Sequence, residues 1–239
     1  MSKTSSIFGA NKPQEVGDEH WLSVSDLMAG LMMVFLFIAI AFMRHASVER
    51  DKIKDIAVAY QENQVAIFDA LNNEFGEELN EWQASIDKET LSFQFDSPEV
   101  LFSTGKSNLK SEFKIILNDF IPRYLTVLDK FKSSIDEVRI EGHTSSEWSR
   151  GTPEQKAYFL NMQLSQNRTR SVLTYSYLLS DLNKQQKKWV KSKFSAVGLA
   201  SSRMKLNEDG SEDKERSRRV SFRVITNADI QIRKIIDGM

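Results

Sequence analysis

The pattern of apolar and polar positions changes abruptly after residue 43. Positions 27–43 contain no charged residue, whereas positions 44–90 are dense in Glu, Asp, Lys and Gln. As an α-helix, the uncharged run spans about 25 Å, less than the roughly 30 Å hydrocarbon core of a bilayer. A helix that begins near residue 21 is long enough. The pattern therefore predicts a transmembrane helix over 21–43, and that helix has to include Asp26.

The apolar stretch predicts an uncleaved anchor in preference to a cleaved signal peptide. It starts late in the sequence, and no cluster of Lys or Arg directly precedes it. Its length also suits a membrane span better than the short apolar core of a signal peptide.

Asp26 has two interpretations. In the first it is a helix N-cap, because Asp is favoured at that position. In the second it lies inside the span, where a carboxyl group is costly and usually functional, for example as a group that gains and loses an ion. Helical spacing puts it on one face with Ser23, Gly30, Met33 and Phe37. Gly30 permits close helix approach, which predicts partner helices at this face.

Residues 44–88 predict a helical linker. Apolar positions recur at steps of three and four from Ile53 to Ile86, with one interruption at Gln64 and one weak point at Gly76. One possibility is an amphipathic helix packed on its own domain. The other is a parallel coiled coil between two copies, which would make the protein a dimer.

The remaining residues, 89–239, predict an α+β domain with a mixed sheet packed by helices. Alternating apolar positions predict strands near 91–95, 138–141, 194–197 and 220–225. Helical spacing predicts helices over 111–131, 153–179, 183–193 and 227–237. Pro122 is expected to bend or end the first of these helices. Because strands and helices alternate, helices are expected to cover one face of the sheet.

Composition and spacing give little support to an enzyme or a metal protein. The net charge is −1, there is no cysteine, and the three histidines are far apart. No nucleophile elbow, phosphate-binding loop or metal-ligand spacing is present, so neither a cofactor nor a metal is expected. Glu141 and His143 suggest an acid–base pair, but no other feature supports one. The basic segment 183–193 is expected to be a solvated helix face, so direct nucleic-acid binding is not expected.

The segment IEGHTSS at 140–146 contains candidate binding groups. A GHT turn at the end of a strand brings hydroxyl and backbone N–H groups to the edge of a sheet. Thr144 and Ser145 are the candidates at this turn. His143 is expected to be a structural turn histidine.

A second group of candidates lies on the helix predicted over 153–179. Asn161, Leu164 and Arg168 are spaced by three and four residues, so they share one helical face. The planar guanidinium of Arg168 suits the carboxylate of a ligand. Asn161 can hydrogen-bond peptide amides. The alternative for Arg168 is an ordinary surface arginine.

Four segments resemble the C-terminal peptidoglycan-binding domain of the OmpA/MotB family. They are LFSTGKSNL (101–109), IEGHTSS (140–146), NMQLSQNRTRSVL (161–173) and RSRRVSF (216–222). The resemblance covers about residues 91–226 and implies an OmpA-like domain in which peptidoglycan is bound by Asn161, Leu164, Arg168, Thr144 and Ser145. In the family, an Asp that pairs with an ammonium group of the ligand typically stands where this chain has Ser145. Glu147 is a candidate to replace it.

The order of a single span with a carboxylate, a linker and this domain resembles a MotB-type stator subunit. The resemblance implies two copies inside a ring of five multi-span partners of the MotA/ExbB type. Protons or sodium ions would pass at Asp26 and turn the ring while the outer domains hold the cell wall. By analogy with flagellar relatives, 44–60 can hold a plug.

The same resemblance implies a single-pass protein of the bacterial inner membrane, with residues 1–20 as a cytoplasmic tail and a periplasmic domain. The positive charges favour the opposite orientation. Lys3 and Lys12 precede the span, whereas four Lys or Arg residues lie within 44–54. The resemblance is given precedence over this count.

Two short segments, SVSDLMAGLMMVFLFIAIAFM and GHTSSEW, are similar to the B subunits (ZorB) of the Zorya anti-phage defence system. This similarity implies a ZorA-type membrane partner and a motor whose rotation or ion flow signals infection. The alternatives are a flagellar-type or other MotB-like energiser and a passive OmpA-like wall anchor in which Asp26 only caps the helix. Asp26→Asn separates them, because a motor loses function and an anchor keeps it.

Overall fold

A computed structural model describes residues 18–96 and 98–227. The helices are α1 (Asp18–Phe75), α2 (Pro98–Leu101), α3 (Ser111–Asp129), α4 (Glu154–Leu178), α5 (Lys184–Lys193) and α6 (Lys214–Ser217). The strands are β1 (Ala84–Asp87), β2 (Ser92–Phe95), β3 (Ile135–His143), β4 (Phe194–Ala200) and β5 (Val220–Thr226). The chain divides between residues 54 and 55 into two compact units. The predicted class, a long apolar N-terminal helix with an α+β domain, is confirmed.

The apolar part of α1 belongs to the first unit. Its large side chains are exposed in the isolated chain, among them Leu27 (71%), Phe35 (61%) and Phe37 (68%). Within the described ranges, α1 is the one helix long and apolar enough to cross a membrane. A helix that is apolar all round has to be buried in lipid or against other helices. These properties fit a single-pass membrane protein.

The second unit is built on a mixed sheet with the strand order β1-β2-β5-β3-β4. β3 and β4 are parallel, and the other neighbouring strands are antiparallel. The segment with α4 and α5 connects β3 to β4, as parallel neighbours require a long crossover. Phe93 is opposite Phe222, and Phe222 is opposite Ile140, so these three residues lie on one face of the sheet.

An aromatic cluster around Phe120 of α3 covers this face. The ring centroid of Phe120 lies 4.7 Å from that of Phe93, 5.3 Å from Phe95 and 5.1 Å from Phe222. All four side chains are fully buried. Aromatic pairs at such distances add about 0.5–1.5 kcal/mol each beyond the burial of their area. This cluster therefore holds α3 on the sheet.

The last turns of α1 pack against the same domain, which is one of the two expectations for the linker. Ile67, Leu71 and Phe75 are fully buried. Gln64, the interruption of the apolar stripe, donates from Nε2 to the backbone oxygens of residues 88 and 89, at 3.1 and 2.7 Å. The polar position in the stripe is thus also a contact with the domain.

Arg123 of α3 makes ion pairs and a cation–π contact with residues at the end of α1 and just beyond it. Its Nε lies 2.7 Å from Glu74, its Nη1 lies 2.9 Å from Glu78, and its guanidinium lies 4.8 Å from the ring of Phe75. Burial opposes the charge of Arg123. The hydrogen bonds to Glu74, Glu78 and Asp119 outweigh that effect and raise its pKa above the ordinary value.

The expectation of a helix up to residue 88 was wrong. α1 ends at Phe75, and the N–H of Gly76 donates to the carbonyl of Asn72 at 2.9 Å. Gly lowers helix stability, and turns follow up to residue 83. Residues 84–87 then form β1, whose backbone pairs with β2 along its whole length. Strand pairing outweighs the helical spacing of the apolar residues in this short segment.

Two smaller expectations also differ from the structure, and a third is not tested by it. α3 continues through Pro122 to Asp129, because Tyr124, Leu125 and Leu128 beyond the proline are buried in the core. β3 is longer than the predicted 138–141, because it pairs with β5 as far back as Ile135. The predicted closing helix lies outside the described residues, apart from its first position.

α4 lies very close to the sheet. A Cβ atom added to Gly198 of β4 would lie 2.4 Å from the backbone nitrogen of Gln166 and 2.7 Å from Oγ of Ser165. That hydroxyl also accepts the N–H of Ala200 at 3.2 Å. Only glycine permits this approach, which fixes the middle of α4 against β4.

Candidate functional site

An open cleft of about 260 Å³ lies beside α4. It is formed by the turn at 102–105, the segment 144–148, the middle of α4 and Arg218. The structure brings together all five predicted peptidoglycan-binding residues, which line this cleft: Thr144, Ser145, Asn161, Leu164 and Arg168. Glu147, also a candidate from the sequence, lines it too. Five further lining residues were not predicted as site residues: Phe102, Thr104, Gly105, Trp148 and Arg218.

Arg168 is held in a defined position by its own chain. Its Nε donates to the backbone oxygen of Lys106 at 3.0 Å. Its guanidinium lies 4.8 Å from the centroid of the Phe102 ring, a cation–π contact. The residue is only 8% exposed. The expectation of an ordinary surface arginine therefore does not hold.

The turn at 102–106 supplies the acceptor for this arginine. The N–H of Lys106 donates to the carbonyl of Ser103 at 2.9 Å. Gly105 has a φ of 68°, a conformation that side chains disfavour. The glycine of the segment LFSTGKSNL is thus required by the turn that presents the Lys106 carbonyl to α4.

The cleft has an excess of positive charge. Burial, with the charge of Arg218 as a second cause, lowers the pKa of Arg168 to about 10, so the group stays charged at neutral pH. Arg218 donates from Nε to the carbonyl of Lys214 at 3.0 Å. Within the described part of the chain, neither arginine has a carboxylate partner. A ligand with negative charge is therefore favoured.

Asn161 organises the loop instead of offering its amide nitrogen to a ligand. Its Nδ2 donates to the backbone oxygen of Ser145 at 3.0 Å, with longer contacts to those of Ser146 and Glu147. The side chain is 3% exposed. The expectation that Asn161 hydrogen-bonds peptide amides thus applies at most to its carbonyl oxygen, because the nitrogen is already engaged.

Two hydroxyl groups lie beside the arginines. Thr144 is 4% exposed, and its Oγ1 has no hydrogen-bond partner among the described residues. Its backbone N–H donates to Ala200 at 2.9 Å, which fixes the position of the residue. Ser145 Oγ makes only a long contact, 3.4 Å, with the backbone oxygen of Glu147. Both hydroxyls are neutral, and each can donate or accept.

The carboxylates near the cleft are already occupied. Glu147 pairs with Lys214 at 2.5 Å, and this hydrogen bond lowers the pKa of Glu147 below its ordinary value. Glu212 accepts the N–H of Ser146 at 2.9 Å and its hydroxyl as well. Glu147, the candidate to replace the missing Asp, is therefore already paired with Lys214.

Glu141 and His143 form a buried pair away from the cleft. Oε2 of Glu141 lies 3.5 Å from Nε2 of His143, and neither residue lines the cleft. Burial lowers the pKa of His143. Burial raises the pKa of Glu141, but the hydrogen bond with His143 and the charges of Arg203 and Arg223 lower it overall. This arrangement fits a structural cluster on β3, in which Arg203 and Arg223 lie 3.7 and 3.8 Å from Oε1 of Glu141.

Asp26 lies within α1, well after the first turn of the helix, which begins at Asp18. The N-cap interpretation of Asp26 is therefore wrong. The residue is exposed in the isolated chain, as are its apolar neighbours. A Cβ on Gly30, one turn further along, would contact nothing within 4 Å, so this face of the helix is open.

Sequence reasoning missed part of the cleft. Phe102 and Arg218 lie inside the segments that carried the resemblance, but their spacing gave no indication of a shared site. Their closeness to Arg168 depends on the sheet and α4. The run RSRR at 216–219 was the one available signal, since it concentrates positive charge next to a strand.

The fold and the cleft define an α+β domain with a cationic cleft, in a chain whose first helix is long and apolar enough to cross a membrane. No family model matches the chain. The chain is 54% identical over 231 residues to the Zorya protein ZorB of Escherichia coli, a match that covers 96% of this chain and 98% of the relative. The chain therefore belongs to the ZorB family, which confirms the resemblance inferred from the sequence.

Several solved structures resemble part of the chain. A putative MotB-like protein from Desulfovibrio vulgaris is 17% identical with a TM-score of 0.41, covering 67% of this chain and 94% of that one. The cell wall anchor of the T6SS from Pseudomonas aeruginosa is 18% identical with a TM-score of 0.44, covering 65% and 96%. The periplasmic domain of Helicobacter pylori MotB is 18% identical with a TM-score of 0.40, covering 62% and 84%. The family assignment rests on the sequence relative alone.

Proposed function

We propose that the chain is the wall-anchored B subunit of an ion-driven motor of the Zorya anti-phage type. The observation that carries the proposal is a carboxylate, Asp26, inside an apolar helical segment of a ZorB-family protein. Asp26 takes up and releases a proton or sodium ion as a partner assembly moves past it. The motor couples this ion flow to protection against phage.

The cost of burying Asp26 supports this role. A carboxylate in a membrane helix costs up to about 2.5–3.5 kcal/mol, and such residues are retained mainly where they pair or conduct. Asp26 has no ion-pair partner in the described part of the chain, and the helix face with Gly30 is open. Partner helices therefore have to complete the site.

The proposed partner is a multi-span MotA/ExbB-like subunit of the ZorA type. Two copies of this chain sit inside a ring of five such subunits, so that each Asp26 faces the ring. Leu27, Phe35 and Phe37 of α1 are exposed in the isolated chain and not covered by it, which leaves this helix available to partner helices.

The second unit holds the motor to the wall. Arg168 binds a carboxylate of a peptidoglycan stem peptide, Leu164 packs on its aliphatic part, and the hydroxyls of Thr144 and Ser145 hydrogen-bond its polar groups. The excess positive charge of the cleft supports this assignment. The tail is cytoplasmic and the α+β domain periplasmic, in a single-pass protein of the inner membrane.

The motor is tested by Asp26→Asn in cells that carry the complete system. The expected result is loss of phage protection at normal protein level. Asp51→Asn is the matched control, since Asp51 is an exposed acidic residue of α1 beyond the apolar segment. Protection by Asp26→Asn at the wild-type level would leave a passive wall anchor as the function.

Wall binding is tested by sedimentation of the detergent-solubilised chain with purified peptidoglycan sacculi. Arg168→Ala should reduce co-sedimentation by about tenfold or more, because a charged hydrogen bond is lost. Arg170→Ala, an exposed arginine on the same helix, is the control. Equal sedimentation of both variants would contradict the proposed site.

Orientation can be tested cleanly because the chain has no cysteine. A cysteine introduced by Ser211→Cys lies in an exposed loop of the second unit. In intact cells, it should react with a maleimide that reaches the periplasm but does not cross the inner membrane. Labelling only after lysis would favour the orientation that the positive charges indicate.

A further inference from the structure

The cleft differs in charge from a site that binds a zwitterionic ligand. Arg168 and Arg218 are both cationic, and neither has a carboxylate partner in the described ranges. The lining carboxylate, Glu147, is paired with Lys214, and Glu212 accepts two hydrogen bonds from Ser146. A positively charged group on a ligand would therefore meet two like charges and no free counter-charge.

Two neutral hydroxyl groups, those of Thr144 and Ser145, also line the cleft. The Oγ1 of Thr144 is without a hydrogen-bond partner among described residues, although the side chain is more than nine-tenths buried. An unpaired buried hydroxyl is unfavourable, and because Thr144 lines the cleft its hydroxyl can hydrogen-bond a ligand there. With Ser145 beside it, the site offers hydroxyl oxygens that suit the N–H of an amide.

A stem peptide has carboxylates and also an amine that is free in some strands and acylated in others. An acylated amine is an uncharged amide, and its N–H is a hydrogen-bond donor. We propose that the cleft binds stem peptides whose amine is acylated, as in cross-linked wall, and discriminates against the free ammonium form. The proposal rests on the proposed wall-binding function and specifies the ligand of that same cleft.

The selectivity follows from two contributions of opposite sign to the free energy of binding. The two arginines attract the carboxylates of both forms of the peptide equally. They repel the ammonium of the free form, while the amide of the acylated form is neutral and pairs with a hydroxyl. Like charges in contact at an interface are strongly unfavourable, so the expected preference for the acylated form is about tenfold or more.

The test measures binding of two synthetic stem peptides that differ only by acetylation of the side-chain amine. The full-length chain is used in detergent, with titration calorimetry as the readout. The acetylated peptide is expected to bind about tenfold or more tightly than the free amine. Equal binding, or tighter binding of the free amine, would overturn the proposal.

Two variants sharpen this measurement. Ser145→Asp supplies a carboxylate, and the preference should fall to equality or reverse in favour of the free amine. Arg170→Ala should keep the wild-type preference, because this exposed residue does not line the cleft. A preference that survives unchanged in Ser145→Asp would show that residue 145 does not face the amine, and the proposal would fail.

The remaining outcomes separate this proposal from the broader one. If sacculi bind but neither peptide does, the ligand is another part of the wall and the selectivity proposal is wrong. If neither sacculi nor peptides bind, the proposed wall-binding function itself fails. If inorganic pyrophosphate binds as tightly as the acetylated peptide, the cleft is a general anion site, which also overturns the proposal.

Discussion

Asp26 and Arg168 are both charged residues set in largely apolar or buried surroundings, but they differ in what surrounds them. Arg168 has its environment built by its own chain, from the Phe102 ring and the Lys106 carbonyl. Asp26 has exposed apolar neighbours and no described partner. The proposed wall-binding cleft is thus built by one chain, whereas the proposed ion site at Asp26 requires other subunits. Replacing a residue that builds the cleft should therefore lower the stability of the second unit much more than replacing Asp26.

The largest expected effect on that stability comes from Phe102→Ala. The side chain is 2% exposed and packs against Phe113 as well as Arg168. Loss of a buried Phe costs about 3–5 kcal/mol in the free energy of unfolding. Chemical unfolding of the full-length chain in detergent measures it. A change below about 1 kcal/mol would mean that the cleft is not part of the packed core.

A smaller loss is expected for Gly198→Ala. The new methyl group would lie 2.4 Å from the backbone of Gln166, so α4 has to move away from β4. Overpacking of this kind costs about 1–3 kcal/mol. Because α4 carries Arg168, sacculus binding should weaken as well. Unchanged stability with unchanged binding would show that α4 tolerates displacement.

The Glu141–His143 pair, which one chain supplies entirely, should make the stability of the second unit depend on pH. The pKa of His143 is lower in the folded state than the value near 6.5 expected in the unfolded state. The contribution of His143 to the free energy of unfolding is therefore complete above about pH 6.5 and is lost as the pH falls below that value. The lowered pKa of Glu141 adds a further loss below about 4.5.

The free energy of unfolding should therefore decrease between pH 7 and pH 5, by about 1.4 kcal/mol for each unit of pKa difference. His143→Gln removes the titrating ring, and the dependence over that interval should become flatter. Unfolding curves at the two pH values check this. An equally steep decrease in His143→Gln would assign the effect to other groups.

The smallest effect is expected for Asp26→Asn. Because no described residue of its own chain depends on this carboxylate, the unfolding of the second unit should change by less than about 0.5 kcal/mol. The same variant should abolish phage protection. A clear loss of stability in this variant would contradict the contrast between the two sites.

The sequence predicted the regular elements well where the pattern was long. α4, α5 and β5 are close to their expected bounds. Pro153 marks the start of α4, a capping box of Asn183 and Gln186 marks that of α5, and β5 alternates in apolar character. β1 was missed. Its four residues pair at the edge of the sheet, and an edge pairing depends on β2 more than on local preference.

The sequence predicted several residues of the candidate site but not the contacts that they make. Helical spacing placed Asn161, Leu164 and Arg168 on one face, and all three line the cleft. Spacing alone gave no sign that Asn161 holds the loop or that Lys214 pairs with Glu147. These contacts join residues 16 and 67 positions apart in the chain, which only the tertiary fold brings together.

The burial of Ile67, Leu71 and Phe75 has a consequence for any shortened form of the protein. A fragment trimmed to residue 89, the boundary that the sequence suggests, would lack these side chains and the edge strand β1. Water would then reach the rings around Phe120, and such a fragment should aggregate. The smallest soluble piece has to begin upstream of Gln64, close to residue 55, where the compact unit starts.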